Sequence, residues 1–408
     1  MTSDSLEWLF GLERLGMKFG LENMSKLMAE LGHPHNRFPS VLIAGTNGKG
    51  SVTAMVDAAM RAAGFRSARY TSPHLLRLEE RFAIDGQEVG TAALEAAIRR
   101  VRAGVDALMD RGDLDAPATF FECTTAAAFE LFASSALDLA VLEVGLGGRL
   151  DATNVVTPLV CAITTIDLDH QAQLGSTITS IAEEKAGIIK PNVPVVTGPL
   201  PPDADVVIER VARQAGSRVI RAKGTSSLAD GIDLALAGAH QRDNAVVAVA
   251  VLQVLRDLGF AVGDSAVRHA LTTVQWPGRL ERFRRPGCEV LLDAAHNPAG
   301  ARALAAYLAD IGWTNVTLVF GAMSDKDIDG MLRALGPAAS RIICTTAATA
   351  RAARAADLAA IASGVAGTRA VDVIEDPALA LADACSTSHR VVAAGSMFLI
   401  GPLRGILR

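Results

Sequence analysis

The stretch Val41-Leu42-Ile43-Ala44-Gly45-Thr46-Asn47-Gly48-Lys49-Gly50-Ser51 joins an apolar run to a glycine-rich turn that carries one lysine. Val52, Met55, Val56, Ala59 and Met60 then recur at helical spacing, and Gly64 ends the run. Such a turn suits a phosphate. Glycines let several backbone N–H groups converge on one anion. The helix N-terminus adds a partial positive charge and Lys49 a full one. Ser51 has a hydroxyl suited to a magnesium ion, although Gly50 stands where an ordinary P-loop has Ser or Thr. The competing reading of the turn alone is a tight bend with a surface lysine.

Further chemistry-bearing groups close other apolar runs. Glu143 lies at the end of one, before Gly145-Leu146-Gly147-Gly148-Arg149-Leu150-Asp151-Ala152-Thr153-Asn154. A carboxylate there is costly to bury unless paired or bound to a cation, so Glu143 is either a magnesium ligand or a strand-end acid facing solvent. Thr164–His170 ends another run and sets His170 beside Asp167 and Asp169, which are able to fix its tautomer. In Ile181–Pro191 the acids Glu183 and Glu184 and the cation Lys185 read, on residue physics alone, as a solvated helix face. Farther on, Trp276-Pro277-Gly278-Arg279 presents an arginine on a rigid turn. Asp293-Ala294-Ala295-His296-Asn297-Pro298 ends a strand before a helix. Asp293 and Arg279 suit a ribose or phosphates; a simple capping turn competes, above all for Asn297.

The elements that must carry these groups alternate between strand-like and helix-like runs, the pattern of an α/β fold with mainly parallel sheets. Val41–Ala44, Asp138–Val144, Leu159–Ile166 and Pro194–Thr197 are the first strand candidates. Ligands bind at the carboxyl ends of such strands, so Gly45–Ser51, Gly145–Asp151 and Asp167–His170 are expected to converge. A second series comprises Val290–Asp293, Val316–Phe320, Arg341–Cys344, Ala370–Val373 and Val391–Ala394, long enough for its own Rossmann-like domain. The boundary is placed at Gln275–Gly278, giving domains 1–275 and 276–408.

With 408 residues, half of them hydrophobic, the chain has apolar surface for two cores. A net charge of −5 without a basic run argues against a nucleic-acid surface. Cys123, Cys161, Cys288, Cys344 and Cys385 are odd in number, widely spaced and without a C-x-x-C pair, as expected of buried free thiols in a reducing compartment. Met1–Phe10 shows no leader pattern, and no apolar run reaches membrane-spanning length. A soluble cytoplasmic protein without membrane contact is the expectation.

Taken in order, these blocks resemble the folylpolyglutamate synthase/dihydrofolate synthase family of the Mur-ligase superfamily. The resemblance runs over nearly the whole chain. It includes Gly20–Met24, Tyr70-Thr71-Ser72-Pro73-His74-Leu75, Glu80-Arg81-Phe82, Phe121-Glu122, Glu184–Ile188 and His240–Ala245. It closes with Pro277–Glu281, Asp293–Pro298 and Ala394-Gly395-Ser396. The Gly50 insertion matches the family's own form of the loop. The fold implied is a P-loop ATPase-like Mur ligase central domain followed by a Rossmann-like α/β domain, with the active site in the cleft between domains.

The chemistry implied is ATP-dependent amide ligation. The γ-phosphate passes to a pterin substrate's carboxylate, and the amine of L-glutamate displaces it. Carried over residue by residue, Asn47, Gly48, Lys49, Gly50, Ser51, Asn244, Arg279 and Asp293 bind ATP. Ser51, Ser72, Glu143 and His170 serve magnesium, with two sites expected. Lys185 matches a carbamylated lysine, and Lys49, Lys185 and His296 are the catalytic set. Thr119, Phe121, Asp151 and Ala152 match a pterin pocket. Arg81, His296 and Ser396 match the glutamate side. The substrates implied are dihydropteroate, reduced folates and glutamate, and a monomer is expected. The segment Arg351–Arg354 matches no motif. Three alternatives stand beside this reading: a polyglutamate synthase only, another Mur-type amide ligase, and a nucleotide switch without ligase activity.

Overall fold

The computed structural model describes residues 4–16, 20–222, 231–366 and 370–408. Residues 1–3, the start of the Met1–Phe10 stretch, lie outside these. The chain forms two compact units. The first comprises Met1–His74, Leu78–Asp233 and Asp243–Val274. The second comprises Leu75–Arg77, Leu234–Arg242 and Gln275–Arg408. It thus takes in two short upstream segments besides its main body.

The first unit is built on a sheet of eight strands among the described residues. These are β1 (Ser40–Ala44), β2 (Ser67–Tyr70), β3 (Phe82–Ile84), β4 (Gln87–Glu88), β5 (Leu139–Glu143), β6 (Val160–Ile163), β7 (Val195–Thr197) and β8 (Val219–Arg221). Their order is β4-β3-β2-β5-β1-β6-β7-β8. From β2 to β8 neighbouring strands are parallel; β3 and β4 add antiparallel at the edge. The runs at β1, β5 and β6 are apolar because helices cover both faces, and every residue in them is buried. Ile43 pairs with Glu143 and Ala44 with Ile163, so the loops after these three strands leave from one edge.

Among the described residues the second unit has six strands: β9 (Glu281–Arg285), β10 (Cys288–Leu292), β11 (Val316–Phe320), β12 (Ala339–Cys344), β13 (Ala370–Val373) and β14 (Arg390–Ala394). Their order is β13-β12-β11-β14-β10-β9, parallel throughout except for β9. One face packs Leu291, Leu318, Phe320 and Val392 under the helices Pro298–Asp310 and Ile328–Leu335. The other packs Val290, Leu292 and Val319 against Leu399 and Leu403 of the C-terminal helix.

Strand candidates with apolar runs are strands in the structure. The ones missed are short or polar: β2 carries Arg69, β9 reads Glu-Arg-Phe-Arg-Arg, the strands of the β3–β4 hairpin have three residues and two, and β8 has three. The signal for that hairpin is Asp85-Gly86, both with positive φ at 49° and 78°. All five cysteines are free thiols, four buried and Cys385 partly exposed. The Sγ atoms of Cys288 and Cys385 lie 2.9 Å apart, a neighbourhood that 97 residues of separation hide. Among the described residues no helix is long and apolar enough to cross a membrane.

Candidate active site

The glycine loop is held from below by the end of β6. Thr46 N–H donates to the carbonyl of Thr165 at 2.8 Å, and Asn47 N–H donates to Thr165 Oγ1 at 3.1 Å. The Thr164 hydroxyl donates to the Asn47 carbonyl at 2.6 Å. The loop is therefore fixed before any ligand arrives. Gly48, at φ 87°, starts the helix Lys49–Ala62, and a β-carbon there would collide with Asn244 Oδ1. At Gly45 a β-carbon would strike Thr164 Oγ1. The glycines answer to close backbone approach as well as to conformation. Lys49 Nζ donates to the carbonyls of Gly45 and Thr46 at 3.1 and 3.3 Å, and Ser51 is buried in the first turn. The sequence reading named Thr164 and Thr165 within the segment that ends this run but gave them no role. Their signal is a Thr pair at the carboxyl end of a parallel strand.

Glu143 is buried, not solvent-facing, and its Oε2 accepts the Ser72 N–H at 3.4 Å. Ser72 itself is half-buried. His170 has φ 50° and precedes a one-turn helix; its N–H donates to Asp169 Oδ1 at 2.8 Å. Its Nε2 lies 3.9 Å from Asp169 Oδ2. Among the described residues no three His, Cys, Asp or Glu side chains are gathered around a metal position. A buried carboxylate next to the Ser72 backbone fits magnesium, which takes one or two protein carboxylates and completes its shell with phosphate and water.

Lys185 departs from its sequence reading. The helix Ile178–Ala186 turns it inward, where it is 4% exposed. Its Nζ donates to the Gly45 carbonyl at 2.9 Å. Burial and the nearby charge of Lys49 push its pKa down to about 7, against the pull of Asp169 and Asp151. Asn154 locks this helix end to the loop after β5, donating to the carbonyls of Arg149 and Gly187 at 3.1 and 3.0 Å. Arg149 and Glu184 pair at 2.7 Å outside it. Glu184 thus belongs to a half-exposed surface pair while Lys185 is core, a difference that spacing alone did not show.

The pterin-pocket candidates also do structural work. Thr119 caps the helix Phe120–Ala133 in a reciprocal capping box with Glu122. Phe121 packs so closely on Gly145 that no β-carbon fits there. Asp151 is buried; its carboxylate accepts N–H groups from Leu146 at 2.8 Å and Thr153 at 3.0 Å, holding the glycine loop. Burial raises its pKa despite these bonds. Ala152 is buried in the short helical turn that follows. Arg81 is buried beside Tyr70, with the Phe120 ring 5.2 Å from its guanidinium carbon. It donates from Nε to His74 Nδ1 at 3.0 Å. Burial and Arg81 push His74 down to about 4.

In the second unit Asp293 staples two loops. Oδ2 accepts Leu280 N–H and Oδ1 accepts Ala295 N–H, both at 2.9 Å. Burial raises its pKa, opposed first by Arg279 and also by His240. Arg279 is half-buried on the turn before Leu280. His296 Nδ1 lies 2.9 Å from the Ala294 carbonyl, which can only accept, so Nδ1 is the donor in that bond. Asn297 caps the helix Pro298–Asp310, and Ser396 caps the helix Met397–Leu407 by accepting Phe398 N–H at 3.1 Å. Arg351, from the unassigned segment, pairs with Asp325 at 3.1 Å.

A phosphate loop on a parallel sheet, followed by a second parallel sheet with Asp, His and Asn at a strand end, defines a Mur-type ligase. Comparison with known proteins agrees. Residues 278–397 match the family model of the Mur ligase glutamate ligase domain. The chain is 35% identical over 363 residues to a Bacillus subtilis dihydrofolate synthase/folylpolyglutamate synthase, covering 83% of this chain and 84% of that one. Its fold superposes with a TM-score of 0.91 on a Mycobacterium tuberculosis folylpolyglutamate synthase complexed with ADP and AMPPCP, 36% identical, over 99% of both chains. A bifunctional folylpolyglutamate synthase/dihydrofolate synthase with Mn, AMPPNP and L-glutamate bound is 33% identical, with a TM-score of 0.87 over 100% of this chain and 98% of that one. The chain spans only 42% of a longer Haloferax volcanii relative, a probable bifunctional folylpolyglutamate synthase/dihydropteroate synthase, at 35% identity. The chain belongs to the dihydrofolate synthase/folylpolyglutamate synthase family of ATP-dependent ligases.

Proposed function

We infer that this protein joins L-glutamate to dihydropteroate, forming dihydrofolate, and to folates, forming folylpolyglutamates, through an acyl phosphate. A carboxylate is a poor electrophile at neutral pH, and ATP is itself an anion. The protein must therefore screen and align two negative groups. The cradle of Asn47, Gly48, Lys49, Gly50 and Ser51 would hold the β- and γ-phosphates, with Asn244 set against Gly48. Glu143, Ser72, His170 and Ser51 would hold magnesium at up to two sites; when bound, it neutralises charge developing on the transferred phosphoryl group. Arg279 and Asp293 would take the rest of the nucleotide. Thr119, Phe121, Asp151 and Ala152 would line the pterin pocket, and Arg81, His296 and Ser396 the glutamate site. With Nδ1 turned to the Ala294 carbonyl, the Nε2 edge of His296 is the one that would face the incoming amine. Residues 1–275 and 276–408 would be the ATP–pterin and glutamate-side domains.

The observation that carries this reading is the pair of cations at the loop. Lys185 is buried beside Lys49, so its ammonium is disfavoured and its neutral amine accessible near pH 7. A neutral amine adds carbon dioxide, forming a carbamate and releasing a proton. That reaction turns the repulsion between Lys49 and Lys185 into attraction, and it supplies an anion for a second magnesium. Small-molecule substrates are the only partners this chemistry requires. The test is phosphate release from ATP with glutamate and either dihydropteroate or tetrahydrofolate. Glutamate-dependent release with both supports the bifunctional ligase. Release with tetrahydrofolate alone would reduce it to a polyglutamate synthase, and release without glutamate would remove the ligase reading.

A further inference from the structure

Arg81 is a buried cation whose partners are unusual. Among the described residues it makes no ion pair. Its neighbours are the His74 imidazole, the Tyr70 phenol and the Phe120 ring. Glu13 and Glu143 act on it through their charge without pairing with it, and a buried guanidinium lacking a paired carboxylate is costly unless an anion arrives to meet it. The guanidinium has five N–H donors in a rigid fork, and His74 Nδ1 engages the one on Nε. An imidazole accepting there orients the fork but, unlike a carboxylate, leaves its charge uncancelled.

We propose that His74 is a positioning residue, holding the Nε edge of Arg81 so that the Nη edge and its full charge meet the carboxylate of incoming glutamate. The proposal rests on the assignment of Arg81 to the glutamate site. Tyr70 supports the arrangement from the other side. Its hydroxyl lies 3.2 Å from both Thr124 Oγ1 and Thr125 Oγ1, which tie it to the helix Phe120–Ala133. Phe120, the first residue of that helix, stacks on the guanidinium. The guanidinium is therefore fixed by a neutral hydrogen-bond acceptor and an aromatic face, neither of which competes for its charge.

Four variants test this in the full-length protein, with KM for glutamate, KM for ATP and kcat measured for each. His74→Leu removes the acceptor and should raise KM for glutamate about tenfold, the scale of a lost hydrogen bond to a charged group. KM for ATP should stay within about twofold and kcat within about threefold, since neither depends on that bond. His74→Asn restores an acceptor where Nδ1 stood and should bring KM for glutamate back to within about threefold of wild type. His74→Asp keeps an acceptor but cancels the charge, so it should resemble His74→Leu. Arg81→Met should raise KM for glutamate at least as much as His74→Leu. Equal behaviour of the Leu and Asn variants overturns the proposal, as does a His74→Leu effect spread over ATP, glutamate and kcat alike. An unchanged KM for glutamate in Arg81→Met overturns the Arg81 assignment itself and the proposal with it. A raised one beside a silent His74→Leu overturns the proposal alone. If His74→Leu does not fold, His74→Ala against His74→Asn gives the same comparison.

Discussion

At Gly48 the backbone has φ 87° and Asn244 Oδ1 occupies the space a side chain would need. Gly48→Ala therefore meets both a conformational cost of about 1 kcal/mol and a collision. The variant should lose nucleotide binding at least tenfold by titration calorimetry, a loss Asn244→Ala only partly restores because the φ penalty remains. Lys185 makes a second prediction. Its pKa is about 7 folded against 10.5 for the free side chain. Between those values the unfolded chain binds more protons, so stability rises with pH across that window, by up to about 1.4 kcal/mol per pH unit. Urea unfolding in buffer free of carbon dioxide should show this slope between pH 7 and pH 10, and Lys185→Met should flatten it. With 13C-labelled bicarbonate, a carbamate carbonyl resonance should appear in the wild type, strengthen from pH 6 to pH 8, and be missing from Lys185→Met. A wild-type spectrum without it would remove the carbamate.

The helix Lys49–Ala62 is fixed at its far end by a buried carboxylate. Asp57 accepts from Arg69 at 2.9 Å and Arg61 at 3.2 Å, and from the Ser67 hydroxyl, with a side chain 1% exposed. It ties the phosphate-loop helix to β2, the strand leading to Ser72. Asp57→Ala should reduce stability by about 3–5 kcal/mol in urea unfolding, since it removes the buried carboxylate with which Arg69 and Arg61 pair. Nothing in the sequence marks Asp57, which sits among alanines like any solvated residue. Apolar runs and glycine turns made β1, β5, β6 and the loops after them readable, because burial on both faces confines polar residues to strand ends, at Ser40 and Glu143. Lys185 was not readable for the opposite reason. The turn of a short helix decides whether Glu184 or Lys185 faces the core, and nine residues with two acids directly before the lysine do not determine it. The Arg81–His74 contact depends on β2 and β3 pairing across the eleven residues between them, which strands of four and three residues did not announce.

Over the whole molecule, two parallel sheets each present loops at their carboxyl edges, and the candidate groups lie on those loops in both units. An ATP analogue with magnesium should raise the melting temperature of the full chain in proportion to ligand excess over Kd. Lys49→Ala should abolish most of that shift while leaving the ligand-free melting temperature within a few degrees, because Lys49 is half-buried and its bonds to the Gly45 and Thr46 carbonyls lie at the loop rather than in the core. The most direct test of the account follows oxygen. Dihydropteroate labelled with 18O in its carboxylate is turned over with ATP, magnesium and L-glutamate, and the released phosphate is examined by mass spectrometry. An acyl phosphate requires one labelled oxygen to leave with phosphate in every glutamate-dependent turnover. Unlabelled phosphate, released at the same rate whether or not glutamate is present, would contradict it.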